Sequence, residues 1–226
     1  MTEQNDEGGA HRAASPEPVT QRGRRTRAQL IDAARRVFEA KGYMDTRIGD
    51  ITEEAAVAHG TFYTYFESKH ELFREVVGTL VQDFIAEARS VPSLGPSPAA
   101  RIERANRGYL QAYRRNARLM GVLEQAAVLD ADVREIRLEA RHSWVKRAED
   151  MLRRLQADGL VSEDIDAYYA ANALGSMVDR FAYVWLVLGE PFEEDQAVET
   201  LTQLYCAALG LPREPSAGVG PAAARS

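Results

Sequence analysis

The sequence predicts an all-α chain of two helical domains. Apolar residues recur at intervals of three and four over most of the 226 residues. No stretch alternates apolar and polar residues as a strand does, and capping and stop signals fall between the periodic segments. No internal repeat is visible, and 45% hydrophobic residues is enough for a substantial core.

The elements follow in order. Residues 1–22 are rich in Gly, Pro, Glu and Ser and lack periodicity, so they are expected to form a disordered, basic-ended arm. A first helix is expected from Arg27 to Ala40, with Thr26 and Gln29 as a capping box, Gly42 as its stop, and Leu30, Ala34, Val37 and Phe38 as its inner stripe. Thr46 reads as the N-cap of a short second helix whose Ile48, Ile51 and Ala55 face inward. Val57 fills the angle before a third helix that starts near Ala58 or His59. There Phe62 and Phe66, four apart, share one inward face. A fourth helix runs from Lys69 to Ser90. Ser68 and Glu71 have capping-box spacing, and the helix is expected to connect the two domains, because Phe73, Val76, Val77, Leu80, Val81 and Phe84 continue past the first of them.

VPSLGPSP, residues 91–98, is the clearest break. Beyond it helices are expected from Ala99 to Asn116, from Ala117 to Leu129, and from Ala131 to Ala157 with a stop at Asp158-Gly159. Ser162 is expected to cap another from Glu163 to Leu188. The last runs from Glu193 to Leu209, and residues 213–226 read as a second disordered tail. The resulting domain expectation is 1–22 arm, 23–70 first domain, 71–212 second domain, 213–226 tail.

Charge and motif point to one chemistry. The chain carries a net charge of −6, yet residues 21–70 hold nine Lys or Arg against seven Asp or Glu, and residues 71–212 hold sixteen against twenty-two. QRGRRTR, residues 21–27, places four arginines just before two short helices joined by a tight turn. A basic segment beside a helix-turn-helix is an arrangement that docks on a nucleic-acid duplex. On the third helix His59, Thr61, Tyr63, Thr64 and Tyr65 face outward, supplying phenol and hydroxyl groups for phosphates and base edges. Gly60 lets the backbone approach another surface. Lys69, at a helix N-terminus with free N–H groups, is expected to seat a phosphate. An arginine run alone is equally a solvated tail, and helix turns with aromatics occur in all-α proteins that never touch DNA.

The stretch from Thr26 to about Val77 resembles the N-terminal domain of the tetracycline-repressor (TetR) family. The match lies in TRAQLIDAARRVFEAKGY, a helix ending in a Gly-aromatic pair, and in GTFYTYFESKHELF, a recognition helix followed by a Lys. Ala56 stands where the family usually has a turn Gly, and Ala58 where it usually has a capping Ser. The resemblance implies a three-helix DNA-binding domain followed by a helical ligand-binding and dimerisation domain. It implies Arg24, Arg25, Thr46, Arg47, His59, Gly60, Thr61, Tyr63, Thr64, Tyr65 and Lys69 as DNA-facing residues. It further implies a repressor that binds a palindromic operator as a homodimer and is released when an effector shifts the helix after Lys69. The C-terminal half resembles actinobacterial relatives that sense small lipophilic or acyl-thioester compounds.

Within that half, Tyr109, Tyr113, Met120, Trp144, Met151, Asn172, Met177 and Phe181 are the candidate ligand contacts, because large, adaptable side chains line apolar sites. Such stripes are equally plain core. The helix around residues 165–188 has only Asp179 and Arg180 charged after Asp166. Apolar nearly all round, it suits a subunit interface or a buried central helix.

Other classes find little support. His11, His59, His70 and His142 lack metal-ligand spacing. Cys206 is the only cysteine, so no internal disulfide forms, which suits a reducing cytoplasm. There is no phosphate loop, no nucleophile elbow, no apolar leader and no run long enough to span a membrane. No catalytic residue, metal or cofactor is expected. A DNA-binding regulator without a ligand, or a helical enzyme or adaptor with a fortuitous turn, are the competing readings.

Overall fold

In the computed structural model, which describes residues 20–90 and 97–212, the described residues form helices and turns with no strand. The helices are α1 (Gln21–Lys41), α2 (Ile48–Glu54), α3 (His59–Phe62), α4 (Lys69–Ser90), α5 (Pro98–Arg115), α6 (Ala117–Leu129), α7 (Ala131–Ala157), α8 (Ala167–Leu186) and α9 (Glu194–Ala208). The expected tail and most of the expected arm and break lie outside the described residues. The chain divides into two units at Val76/Val77. The expected division lay at residue 70. The first turns of α4 fall in the first unit because Leu72, Phe73 and Val76 are fully buried there.

The first unit is built on rings. Phe73 meets Phe38 edge-on at 4.9 Å and Tyr43 at 4.7 Å between centroids. Leu30, Phe38, Ile51 and Phe62 are fully buried, each worth about 1.5–3 kcal/mol relative to exposure. Helix α1 starts earlier than expected. Thr20, not Thr26, is the N-cap and accepts from the Gly23 N–H at 3.1 Å. Thr26 lies inside the helix and donates its hydroxyl to the Arg22 carbonyl at 3.2 Å. Arg22, Arg24 and Arg25 are therefore helical rather than part of a loose arm. Nothing between Thr20 and Thr26 breaks a helix, and Gly23 is buried. At the other end Gly42 has φ +79°, a conformation that favours glycine.

In the second unit α7 packs against α6 and α8, and α5 packs against α9 and α8. Pro98 opens α5 behind a Ser97 cap, which accepts from the Ala100 N–H at 3.2 Å. The bounds of α4, α6 and α7 match the sequence expectation. Helix α8 does not: Asp166, rather than Ser162, caps it by accepting from the Tyr169 N–H at 3.0 Å. Ser162 instead accepts from the Asp164 N–H in the preceding turn. The Gln156 amide donates to the carbonyls of Ser162 and Ile165 at 3.0 and 2.7 Å, holding that connection out of the helix.

Candidate nucleic-acid interface and internal cavity

The turn between α2 and α3 is set by backbone bonds alone. Val57 N–H donates to the Thr52 carbonyl and Ala56 N–H to the Glu53 carbonyl, both at 3.0 Å. This pair of bonds is a Schellman stop, which needs a left-handed residue after the cap. Ala56 is that residue, at φ +53°, the sole non-glycine with positive φ among the described residues. Ala58 precedes α3 with no side-chain cap.

The recognition segment then divides into two faces. Phe62 and Phe66 are buried at 0% and 1% exposure. His59, Gly60, Tyr63 and Thr64 are exposed, and Thr61 and Tyr65 are half-buried. Tyr63 is 56% exposed and stands edge-on to both His59 and Phe62. No protein atom lies within 4 Å of where a Gly60 side chain would begin, so internal packing does not explain this glycine. Arg24, Arg25 and Arg47 are also exposed. Asp50 anchors the start of α2, accepting from Lys41 Nζ and from the Arg47 N–H, each at 2.8 Å. The Lys41 bond, then the Arg47 bond, hold its carboxyl below the usual range.

Two expectations change. Thr46 is 2% exposed and donates its hydroxyl to the Gly42 carbonyl at 2.6 Å; Arg47 occupies the N-cap position of α2. Thr46 is thus a loop fastener whose side chain is turned inward. Lys69 Nζ donates to the carbonyls of Tyr43 at 2.8 Å and Thr46 at 2.9 Å, and lies 4.4 Å over the Tyr43 ring. Its ammonium closes the α1–α2 connection onto the start of α4, in place of the expected phosphate seat. Arg27, one of the four arginines in the basic run, is likewise internal. It pairs with Glu75 at 2.8 Å and lies over the Phe66 ring at 5.2 Å. Sequence reading missed Arg27 and Glu75 as positioning residues, because no local pattern separates a packed arginine from a solvated one.

The second unit contains a partly open cavity of about 640 Å³, within the range of small-molecule sites. Of the expected contacts, Tyr109, Trp144 and Met151 line it. Tyr113, Met120, Asn172, Met177 and Phe181 do not. Tyr113 and Met120 are fully buried core. The Asn172 amide donates to the Tyr168 carbonyl, and Phe181 stacks on Phe192 at 4.7 Å. Met177 is half-buried on another face of α8. The wall that α8 contributes comes from Ala171, Gly175, Val178 and Asp179. Space opens where side chains are small, so choosing the large residues of this helix selects the wrong face. Phe84, Arg101, Arg141, Gly175 and Tyr205 also line the cavity and were missed.

One end of the cavity carries an aromatic wall and a buried charge network. Trp144 meets Phe84 at 4.9 Å and Tyr109 at 5.6 Å between ring centroids. Tyr109 donates its hydroxyl to Asp179 at 2.6 Å, and Arg137 donates to the other Asp179 oxygen at 2.8 Å. Arg137 also pairs with Glu124. Burial, reinforced by the Asp179 carboxylate, pushes the Tyr109 phenol well above its ordinary range. Burial works against the Arg137 charge, but Asp179 and Glu124 outweigh it and raise its basicity. Tyr109 therefore acts as a hydrogen-bond donor and is not an ionisable base. Among the described residues no cluster of three His, Cys, Asp or Glu could hold a metal, and no helix is long and apolar enough to cross a membrane.

A helix-turn-helix unit joined to a helical unit with an internal cavity defines the class of helix-turn-helix transcriptional regulators. The comparisons with known proteins agree. Residues 30–76 match the family described as "Bacterial regulatory proteins, tetR family", and residues 102–209 match "Transcriptional regulator EthR, C-terminal domain". The "HTH-type transcriptional regulator TtgR" of Pseudomonas putida is 31% identical over 176 residues, covering 72% of this chain and 81% of that protein. The "Fatty acid metabolism regulator protein" of Bacillus subtilis is 23% identical over 73% of this chain and 86% of that protein. A crystal structure of a TetR-family regulator from Rhodococcus sp. superposes with TM-score 0.70 at 20% identity, covering 81% of this chain and 98% of that one. The chain belongs to the TetR family of transcriptional regulators and carries its DNA-binding domain. These relatives are regulators, not enzymes.

Proposed function

We propose that the protein is a homodimeric repressor that binds a palindromic operator and is released by a small lipophilic or acyl-thioester-like effector held in the cavity of its second unit. The observation that carries this reading is the cavity. One of its walls is Phe84, on the same helix, α4, whose Lys69 grips the carbonyls of Tyr43 and Thr46 in the DNA-binding unit. An effector that displaces Phe84 acts on the helix that also holds the turn motif. Release requires the effector to bind the DNA-free arrangement more tightly than the DNA-bound one.

On the operator, Tyr63, Thr64 and the arginines Arg24, Arg25 and Arg47 take phosphates, while His59, Thr61 and Tyr65 meet base edges over the open Gly60 backbone. A dimer supports this by presenting two recognition helices to successive major grooves, roughly 34–36 Å apart. The side chains Tyr169 on α8, Leu188 just past its end and Leu204 on α9, 74%, 59% and 52% exposed in the single chain, are suited to its interface. The site of action is the cytoplasm, with no cofactor or membrane involved. Selection of binding sequences from random duplex DNA tests the reading. A palindrome with half-sites one helical turn apart supports it; a single asymmetric site, or no enrichment, refutes it.

A further inference from the structure

The cavity wall carries an excess of positive charge in an acidic part of the chain. Residues 71–212 hold sixteen Lys or Arg against twenty-two Asp or Glu, yet the lining includes Arg101, Arg141, Arg147 and Arg154 against Asp158 and Asp179. Asp179 is already matched by Arg137. Other arginines of this unit are ion-paired, among them Arg107 with Asp195, Arg114 with Glu194 and Arg153 with Glu149. In the wall, Arg101, Arg141 and Arg154 form no ion pair with any described residue.

Arg141 is the informative one. It is half-buried, and its hydrogen bonds all go to neutral oxygens: Ser176 Oγ at 2.7 Å, the Asn172 carbonyl at 3.3 Å and Asn172 Oδ1 at 3.4 Å. All three are made by one terminal nitrogen, so the rest of the guanidinium fork is left for another acceptor. A guanidinium fixed in orientation but not neutralised is preorganised for a carboxylate or phosphate. Trp144 lies one turn further along the same face of α7, beside Tyr109. The α5 residues that line the cavity run from Arg101 to Tyr109 and those of α7 from Arg141 to Leu155, with apolar Ile102, Ala105, Val145, Ala148 and Met151 among them. From Trp144 to Arg154 is roughly 15 Å of helix.

Resting on the reading of this cavity as the effector site, we propose that its ligand is an amphipathic organic anion whose oxyanion is held by Arg141 and whose apolar body lies along α7 toward Arg101 and Arg154. The outer arginines attract the anion and take any further phosphate it carries. The seat does not suit a cationic amphiphile.

The test uses the full chain and three probes with one tail: dodecanoate, dodecanol and dodecylamine, titrated by calorimetry and by tryptophan fluorescence. Dodecanoate is expected to bind roughly tenfold to a hundredfold more tightly than dodecanol, the ordinary worth of a charge-assisted hydrogen bond, and dodecylamine more weakly than either. Arg141→Gln should bring dodecanoate down to the affinity of dodecanol while the dodecanol affinity stays within a factor of two. Ser176→Ala, which removes the orienting hydroxyl, should narrow the same ratio if Arg141→Gln fails to fold. Equal binding of dodecanoate and dodecanol by the parent, or equal loss of both in Arg141→Gln, overturns the proposal. Dodecanoyl-coenzyme A separates two sources of the anion. Tighter binding than dodecanoate, lost in Arg101→Ala/Arg154→Ala, indicates a phosphorylated acyl carrier; no gain indicates the free acid, and either outcome supports the anion seat. Selective binding of dodecanoate without release of operator DNA would sink the effector reading and leave the anion seat standing. Release of DNA by dodecanol and dodecanoate alike would do the reverse.

Discussion

Replacing Ala56 by glycine should stabilise the DNA-binding unit. Ala56 holds φ +53° because the Schellman bonds of Ala56 and Val57 to Glu53 and Thr52 demand a left-handed residue there. For a residue with a Cβ this conformation costs roughly 1–2 kcal/mol. Glycine removes that strain but adds about 0.4–1 kcal/mol of unfolded-state entropy. Ala56 is exposed, so its methyl contributes no packing to lose. The balance is a gain of about 0.5–1 kcal/mol, equivalent to roughly 0.3–0.7 M in a urea midpoint for an ordinary slope. Both tryptophans, Trp144 and Trp185, lie after Val77. Tryptophan fluorescence therefore reports only the second unit, while circular dichroism reports both. The expected signature is a delayed loss of helix signal with an unmoved fluorescence transition, and operator affinity within a factor of two of the parent. A lower midpoint for Ala56→Gly would refute the strain argument. Ala56→Val, which adds β-branching at the same φ, should shift the midpoint the other way.

Tyr63→Ala should weaken operator binding about equally across sequences, whereas Thr61→Ala should change preference at particular base pairs; a selection experiment on each variant shows which, and parental binding by both would remove α3 from the interface. Lys69→Met should loosen the loop at Tyr43 and Thr46 by removing two carbonyl bonds, costing on the order of 1–2 kcal/mol, and amide exchange at residues 43–50 should quicken; unchanged exchange would return Lys69 to a phosphate role. Gly175→Ala should stabilise α8 by up to about 1 kcal/mol on helix propensity alone, since its new methyl meets open space. Gly175→Trp should fill the cavity and abolish ligand-induced fluorescence change, and a retained response would place the ligand elsewhere.

The site was legible in the sequence where its chemistry is local. The inner stripe of α1, the pair Phe62 and Phe66, the turn after α2 and the outward aromatics of α3 follow from spacing and residue type within a few positions. The Ala56 departure from the family's glycine was visible as a letter, and the positive φ gives it a physical meaning. The cavity was legible only in part. Tyr109, Trp144 and Met151 were found because they are large and lie on helices that bound the space. Met177 and Phe181 were chosen by the same criterion and lie off it.

Caps, stops and periodicity act over three or four residues, so the class of fold and the bounds of α4, α6 and α7 could be read from the chain alone, while the family came from the resemblance of its helix-turn-helix residues. The rest depends on contacts between distant segments. Ser162 and Asp166 are equally good caps in isolation; the bonds of Gln156 to carbonyls six and nine residues on select Asp166. In the sequence Arg27 belongs to a basic run and Lys69 opens a helix, but a carboxylate and distant carbonyls turn them inward. The cavity is a shortage of side-chain volume among helices drawn from residues 84 to 205, centred where α8 is small at Ala171 and Gly175. A void of that kind belongs to no single segment, so no local pattern records it, and the unpaired charge of Arg141 acquires its meaning only from what the fold leaves unfilled beside it.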